Sequence, residues 1–169
     1  MVALDVVLDE ETDEELYNEK SYTFRYEGKH IKVFKESGES YQHVLLRLLG
    51  YILYYKKYHS IEVNPVFYQK YKSDLMALDY EGKPAFWGEC GRVRWEVIEY
   101  IYRHTDVQEI VLIESEEYIE TFLEIVKQKI PKKFLSRIKV INFLPDFVNE
   151  WLDPSDVVLY KDWYEIRTF

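Results

Sequence analysis

The stretch Ser73-Asp74-Leu75-Met76-Ala77-Leu78-Asp79-Tyr80-Glu81-Gly82-Lys83-Pro84-Ala85-Phe86-Trp87-Gly88-Glu89-Cys90-Gly91 decides how this chain is read. Apolar runs on both sides of Tyr80-Glu81-Gly82-Lys83 make it a hairpin. With Glu81-Gly82 as a two-residue loop, Tyr80 pairs with Lys83 and Leu78 with Ala85. Counting outward sets Asp74 opposite Glu89, and directly opposed residues have Cβ atoms roughly 4.5–5.5 Å apart on one face. Two carboxylates that close repel unless a cation lies between them or one is protonated. The spacing therefore predicts a hard-metal site. Asp79 falls on the other face, opposite Pro84, and is excluded. A three-residue loop with a bulge would shift the pairing by one and separate the two acids.

Outward from this hairpin, the pattern predicts a mixed sheet with helices on its faces. Leu4–Leu8 reads as a strand, and Tyr22–Tyr26 with Ile31–Lys35 as a hairpin around Glu27-Gly28-Lys29-His30. Val44, Leu45, Leu48, Leu49 and Ile52 repeat at helical spacing, so residues 41–58 form a helix that Ser40 caps. An irregular aromatic stretch runs on through Asn64-Pro65. Beyond the central hairpin, 92–103 is a helix with Val93, Val97 and Ile101 on one face, and 109–113 is a buried strand. Ser115 caps a third helix that turns Ile119, Phe122, Leu123 and Val126 inward and stops before Pro131. Ile138–Phe143 is a strand, 147–152 a short helix, and Val157–Tyr160 with Tyr164–Arg167 a closing hairpin.

The chain of 169 residues, 47% hydrophobic with 16 Tyr, 9 Phe and 4 Trp, is one domain spanning 1–169 with enough apolar mass for a core. No run is long enough to span a membrane and the amino terminus has no signal-peptide pattern, so the expectation is a cytoplasmic protein with no membrane partner. The single Cys90 excludes an internal disulfide framework and a multi-cysteine zinc site. Net charge is −9, from 22 basic and 31 acidic side chains, with much of the acid between Asp9 and Glu19. Affinity for a phosphate backbone comes from Lys and Arg, so nucleic-acid binding is expected to be weak.

Three further residues join the two acids as candidates. Glu39 lies at the start of the first long helix, with His43 and Arg47 four and eight residues on and sharing roughly its face; a glutamate there also complements the helix dipole. Arg92 and Arg94 fall in the predicted first turn of the next helix, where the dipole disfavours cations. They fit if an anion is near, either the Asp74/Glu89 pair or a phosphate. Cys90 reads as a small core residue rather than a nucleophile. His59 and His104 sit near helix ends, and the tyrosines between Tyr51 and Tyr71 suit packing, with base stacking as the alternative. There is no P-loop, no G-x-G-x-x-G and no serine elbow.

The order Asp74, hairpin, Glu89 resembles the PD-(D/E)XK nuclease superfamily, whose fold is restriction-endonuclease-like. Residues 74–91 read D-L-x-x-x-D-x-x-G-x-x-x-x-W-x-E-x-G, which is similar to the pattern of the YaeQ family within it. Upstream, Glu39-Ser40 followed by Leu46-Arg47-Leu48-Leu49 resembles that family's S-E-T segment and R-L-L helix. The resemblance covers about 22–113. It implies an α/β fold with an αβββαβ core, a mixed sheet flanked by helices, here with N-terminal and C-terminal hairpin additions. It also implies that Glu39, Asp74 and Glu89 hold Mg²⁺ (or Mn²⁺) for phosphodiester hydrolysis of nucleic acid. Ser73 stands for the proline of the PD pair, and Gly91 for the lysine of E-x-K. A basic residue from the next helix, Arg92 or Arg94, would take the lysine's place, though an arginine stabilises charge and does not act as a base. The alternative implied by Gly91 is a nuclease-fold protein without catalysis, serving as a protein-interaction module.

Overall fold

The computed structural model describes residues 16–65, 70–145 and 153–169; the expected strand at 4–8 and helix at 147–152 lie outside them. Two antiparallel strands, β1 (Lys20–Tyr26) and β2 (Lys29–Lys35), form a separate hairpin with Glu27 and Gly28 at its tip. Helix α1 (Tyr41–Tyr54) follows, then β3 (Glu62–Val63), β4 (Leu75–Leu78) and β5 (Pro84–Cys90). After these come α2 (Trp95–His104), β6 (Glu109–Glu114), α3 (Ile119–Lys129), a 3₁₀ turn, β7 (Ile138–Phe143) and β8 (Tyr164–Thr168).

The main sheet has six strands in chain order, β3 to β8. β5, β6 and β7 run parallel, and the flanking pairs are antiparallel. This is the expected mixed sheet flanked by helices, with an N-terminal hairpin. The expected closing hairpin is different: 157–160 forms no strand, and β8 pairs with β7. Segment 154–157 instead runs beside β1, where Arg25 N–H donates to Pro154 O and Val157 N–H to Arg25 O.

Alternation along the parallel strands builds two cores. Phe86, Val111, Ile113 and Ile141 meet α1 and the β1–β2 hairpin on one face. Trp87, Ile110, Leu112, Ile138 and Val140 meet α2 and α3 on the other. Helix α1 lies so close to the sheet that a Cβ on Gly50 would overlap Ile113 Cδ1 and sit 2.6 Å from Leu75 Cδ1. Both neighbours are fully buried, and overpacking a filled core costs about 1–3 kcal/mol. Gly50→Val is therefore expected to destabilise the protein by that amount, read from the urea midpoint; an unchanged midpoint would show that α1 can slide outward freely.

The central hairpin reaches its predicted register by a different route. Asp79 N–H donates to Lys83 O, so the loop has three residues, Tyr80, Glu81 and Gly82, with Gly82 at φ +77°. That would shift the pairing by one, but the register shifts back next to Leu78, which pairs with Pro84 while Ala77 pairs with Phe86. Leu75 then faces Gly88, and one step further sets Asp74 level with Glu89. Asp79 is outside the site, as its exclusion requires: its Oδ1 accepts from the Glu81 and Lys83 amides within the turn.

The helix boundaries also move. Helix α1 stops at Tyr54 rather than Tyr58, and α2 begins at Trp95 rather than Arg92. Arg92 therefore precedes the helix and Arg94 is its N-cap residue; neither faces the dipole penalty of a first turn. The third helix starts at Ile119 with Tyr118 at its cap, so Ser115 does not cap it. No described helix is long and apolar enough to cross a membrane.

Candidate functional site

The carboxyl ends of the parallel strands β5 and β6, the start of β4 and the amino end of α1 meet at one end of the sheet, the usual place for a crevice in such folds. A cavity of about 510 Å³ opens there, lined among others by Glu39, His43, Arg47, Asp74, Arg92 and Arg94. Ser40 caps α1 by accepting from the His43 amide at 3.2 Å, which fixes the first turn and so the direction of the His43 ring.

Glu39 and Asp74 come together, and His43 stands between them. Its Nδ1 lies 3.3 Å from Glu39 Oε1 and its Nε2 3.1 Å from Asp74 Oδ1. One ligand atom from each of the three residues lies within 4.8 Å of the other two. Arg47, 2% exposed, binds both acids: Nε donates to Asp74 Oδ1 at 2.7 Å, and Nη2 pairs with Glu39. Its Nη1 donates to Phe34 O of β2 at 2.8 Å. The remaining carboxylate oxygens are also held, Asp74 Oδ2 by the Cys90 amide at 2.8 Å and Glu39 Oε2 by the Glu36 amide at 2.8 Å. Burial pushes the Asp74 carboxyl up, but His43, the Arg47 charge and the Cys90 amide outweigh it and hold it at about 2.

Glu89 is placed apart from this group. It is fully buried, accepts from Trp87 Nε1 at 2.9 Å, and takes Arg94 Nη2 at 2.9 Å on each oxygen. Trp87 belongs to the face covered by α2, so Glu89 turns towards α2 while Asp74 turns towards α1. Burial first, then the charge of Asp74, pushes the Glu89 carboxyl up to about 7 against the pull of Arg94 and Trp87. The ion pair with Arg94 and the raised value oppose each other; the burial of Glu89 decides the direction, because Arg94 is itself well exposed and screened.

Of the two arginines, Arg94 is thus tied to Glu89 and to the Lys72 carbonyl. Arg92 is exposed, has no ion-pair partner among the described residues, and lines the cavity. Gly91 adopts φ +71°, the left-handed region that favours glycine, and its amide donates to Ile113 O at 2.7 Å. A lysine at this position would be strained. Cys90 is buried in the core as expected, its thiol pushed up by burial.

Sequence reasoning placed His43 and Arg47 on the face of Glu39 without assigning them to the site; their spacing at four and eight residues was the signal. Glu114 and Lys72 were missed. Lys72 lines the cavity and pairs with Glu36. Glu114 ends β6, and a charged residue closing an apolar parallel strand was the available clue.

No protein-family model matches the chain, and no curated protein does. Solved structures do. The crystal structure of YaeQ from Pseudomonas syringae superposes with a TM-score of 0.61 at 12% identity, covering 89% of each chain. The crystal structure of YaeQ from Xanthomonas axonopodis pv. citri gives 0.58 at 14% identity, covering 89% of this chain and 90% of that one. The chain has a YaeQ-like fold. At such identities the likeness concerns the fold, and within that YaeQ-like frame the cluster of Glu39, His43, Asp74 and Arg47 is this chain's own geometry.

Proposed function

We propose that this protein is a divalent-cation-dependent phosphodiesterase of the PD-(D/E)XK type acting on nucleic acid. The convergence of Glu39, His43 and Asp74 in the cavity carries the reading. The donor set bears on which ion fits. Mg²⁺ favours an all-oxygen octahedron, whereas two carboxylates with an imidazole form a mixed oxygen–nitrogen set that suits Mn²⁺ better. Glu39, His43 and Asp74 would hold the ion, in place of the Glu39, Asp74 and Glu89 set that the family resemblance implies. A bound ion would activate water and offset charge at the phosphate. Arg47 fixes the two carboxylates, Glu89 holds Arg94 at the cavity wall, and the unpaired Arg92 is the group free to take a phosphate oxygen.

The test is thermal unfolding with added Mn²⁺ or Mg²⁺, beside hydrolysis of single-stranded oligonucleotides. An ion at one hundred times its Kd stabilises by about 2.7 kcal/mol, which for a chain of this size is roughly 5–11 °C in Tm. Mn²⁺ is expected to give the larger shift, and Asp74→Asn to abolish both shift and cleavage. A shift that survives in Asp74→Asn would overturn the assignment.

A specific observation favours a second reading, a fold without catalysis that binds a protein partner. Arg47 already neutralises both Glu39 and Asp74, and the overall charge of −9 disfavours a polyanion. No Tm shift in the wild type at millimolar Mn²⁺ would select this reading.

A further inference from the structure

A second cavity of about 340 Å³ adjoins the first, and Gln42, Leu46, Gly91 and Arg92 line both. Its far side is built from the end of β6 and from α3. Glu114 closes β6 with only 5% of its surface exposed, and among the described residues its Oε1 has no hydrogen-bond partner. The Ser115 Oγ beside it is likewise buried and unpartnered. Buried polar atoms without partners are rare and costly, and two of them on neighbouring residues that line one cavity mark a place where a ligand would supply the missing bonds. The loop that carries them is fixed: Asn142 at the end of β7 accepts from the Glu116 amide at 2.7 Å and donates to the Glu116 carbonyl at 3.0 Å. Two aromatic side chains also line the cavity, Trp95 at the start of α2 and Phe122 of α3, both half-buried, with their rings 6.3 Å apart and tilted by 32°.

From this we infer that the second cavity is a nucleobase pocket, in which the base lies against Trp95 while Glu114 and Ser115 bond its polar edge and Arg92 holds its phosphate. The volume suits a ligand of nucleoside size, within the range of small-molecule pockets. An apolar face plus a buried hydrogen-bonding edge is what a planar heterocycle requires. Burial, with the charges of Glu116 and Asp74, pushes the Glu114 carboxyl up to about 9, so at neutral pH it can both donate and accept. Arg92 lies between the two cavities, where the phosphate joining a bound nucleotide to the first cavity would run. The inference deepens the nucleic-acid reading and rests on it for the class of ligand.

The test is calorimetric titration of the full chain with AMP, adenosine and ribose 5-phosphate in EDTA, so that no metal takes part. AMP is expected to bind and ribose 5-phosphate to bind at least tenfold more weakly. Stacking contributes about 1–3 kcal/mol per base, which corresponds to roughly 5- to 150-fold in Kd. Glu114→Leu and Trp95→Leu, each checked for native circular dichroism, should therefore weaken AMP binding at least fivefold. Arg92→Ala should weaken AMP but leave adenosine unchanged, a split that damage to packing would not give. No AMP binding at millimolar concentration would overturn the pocket, as would ribose 5-phosphate binding equal to AMP, or AMP binding untouched by both the Glu114 and Trp95 variants. AMP binding without any Mn²⁺-induced Tm shift would retain the pocket and reject the metal site. The reverse result would reject the pocket alone.

Discussion

Arg47→Ala is expected to destabilise the protein by about 3–5 kcal/mol, the cost of removing one partner from a buried ion pair. For a chain of this length that is a fall in Tm of roughly 6–20 °C. The size follows from what one guanidinium holds: Asp74 of the main sheet, Glu39 before α1 and the Phe34 carbonyl of β2. Its loss leaves the Asp74 and Glu39 charges facing each other across His43. Arg47→Lys is expected to recover only part of the loss, because an ammonium cannot reproduce the planar fork that reaches three acceptors. Millimolar Mn²⁺ should restore part of the Arg47→Ala deficit, since the ion would occupy the space between the carboxylates. A Tm within a degree of the wild type would show that the network is ornamental.

The second large effect is the pH response of Glu89. Its carboxyl stands at about 7 in the fold against an ordinary 4.5, so folding favours the protonated form. The corresponding stabilisation is fully present below about 4.5 and is lost as the pH rises through about 7. The gap from 4.5 to about 7 corresponds to roughly 3 kcal/mol. Asp74 works in the opposite sense: held at about 2 against 3.8, it stabilises above 3.8, and that contribution disappears as the pH falls through about 2. Glu89→Gln keeps an oxygen for Trp87 and Arg94 but cannot ionise. Urea unfolding of both proteins from pH 4 to 8 should show the wild type losing stability relative to the variant across the upper window. Parallel profiles would mean that Arg94 fully compensates the buried charge.

The central hairpin illustrates how far the sequence can be read. The level of Asp74 with Glu89 was legible because alternation across a two-faced sheet ties register to burial. The loop was not: a three-residue turn and the shift beside Leu78 offset each other, and only their sum is visible in the pattern. The destinations of the two side chains were also hidden. Level residues at the sheet's end part company because Asp74 finds His43 and Arg47, whereas Glu89 finds Trp87 and Arg94. Helix α2 began late because Gly91 takes a left-handed turn that no periodicity signals. Val157–Tyr160 has strand composition but forms no strand: only Val157 bonds to β1, and β8 already pairs with β7. The buried, unbonded Glu114 is a property of its surroundings, and its position at the end of an apolar run only hinted at it.

The β1–β2 hairpin belongs to a different sheet from the strands that carry Asp74 and Glu89, yet Arg47 and Lys72 fasten it to them through Phe34 and Glu36. One wall of the cavity is thus held in place by the same charges that shape its floor. An ion drawing Glu39 and Asp74 away from Arg47 would loosen one of the hairpin's fastenings. Occupancy of the floor and seating of the hairpin would then be linked.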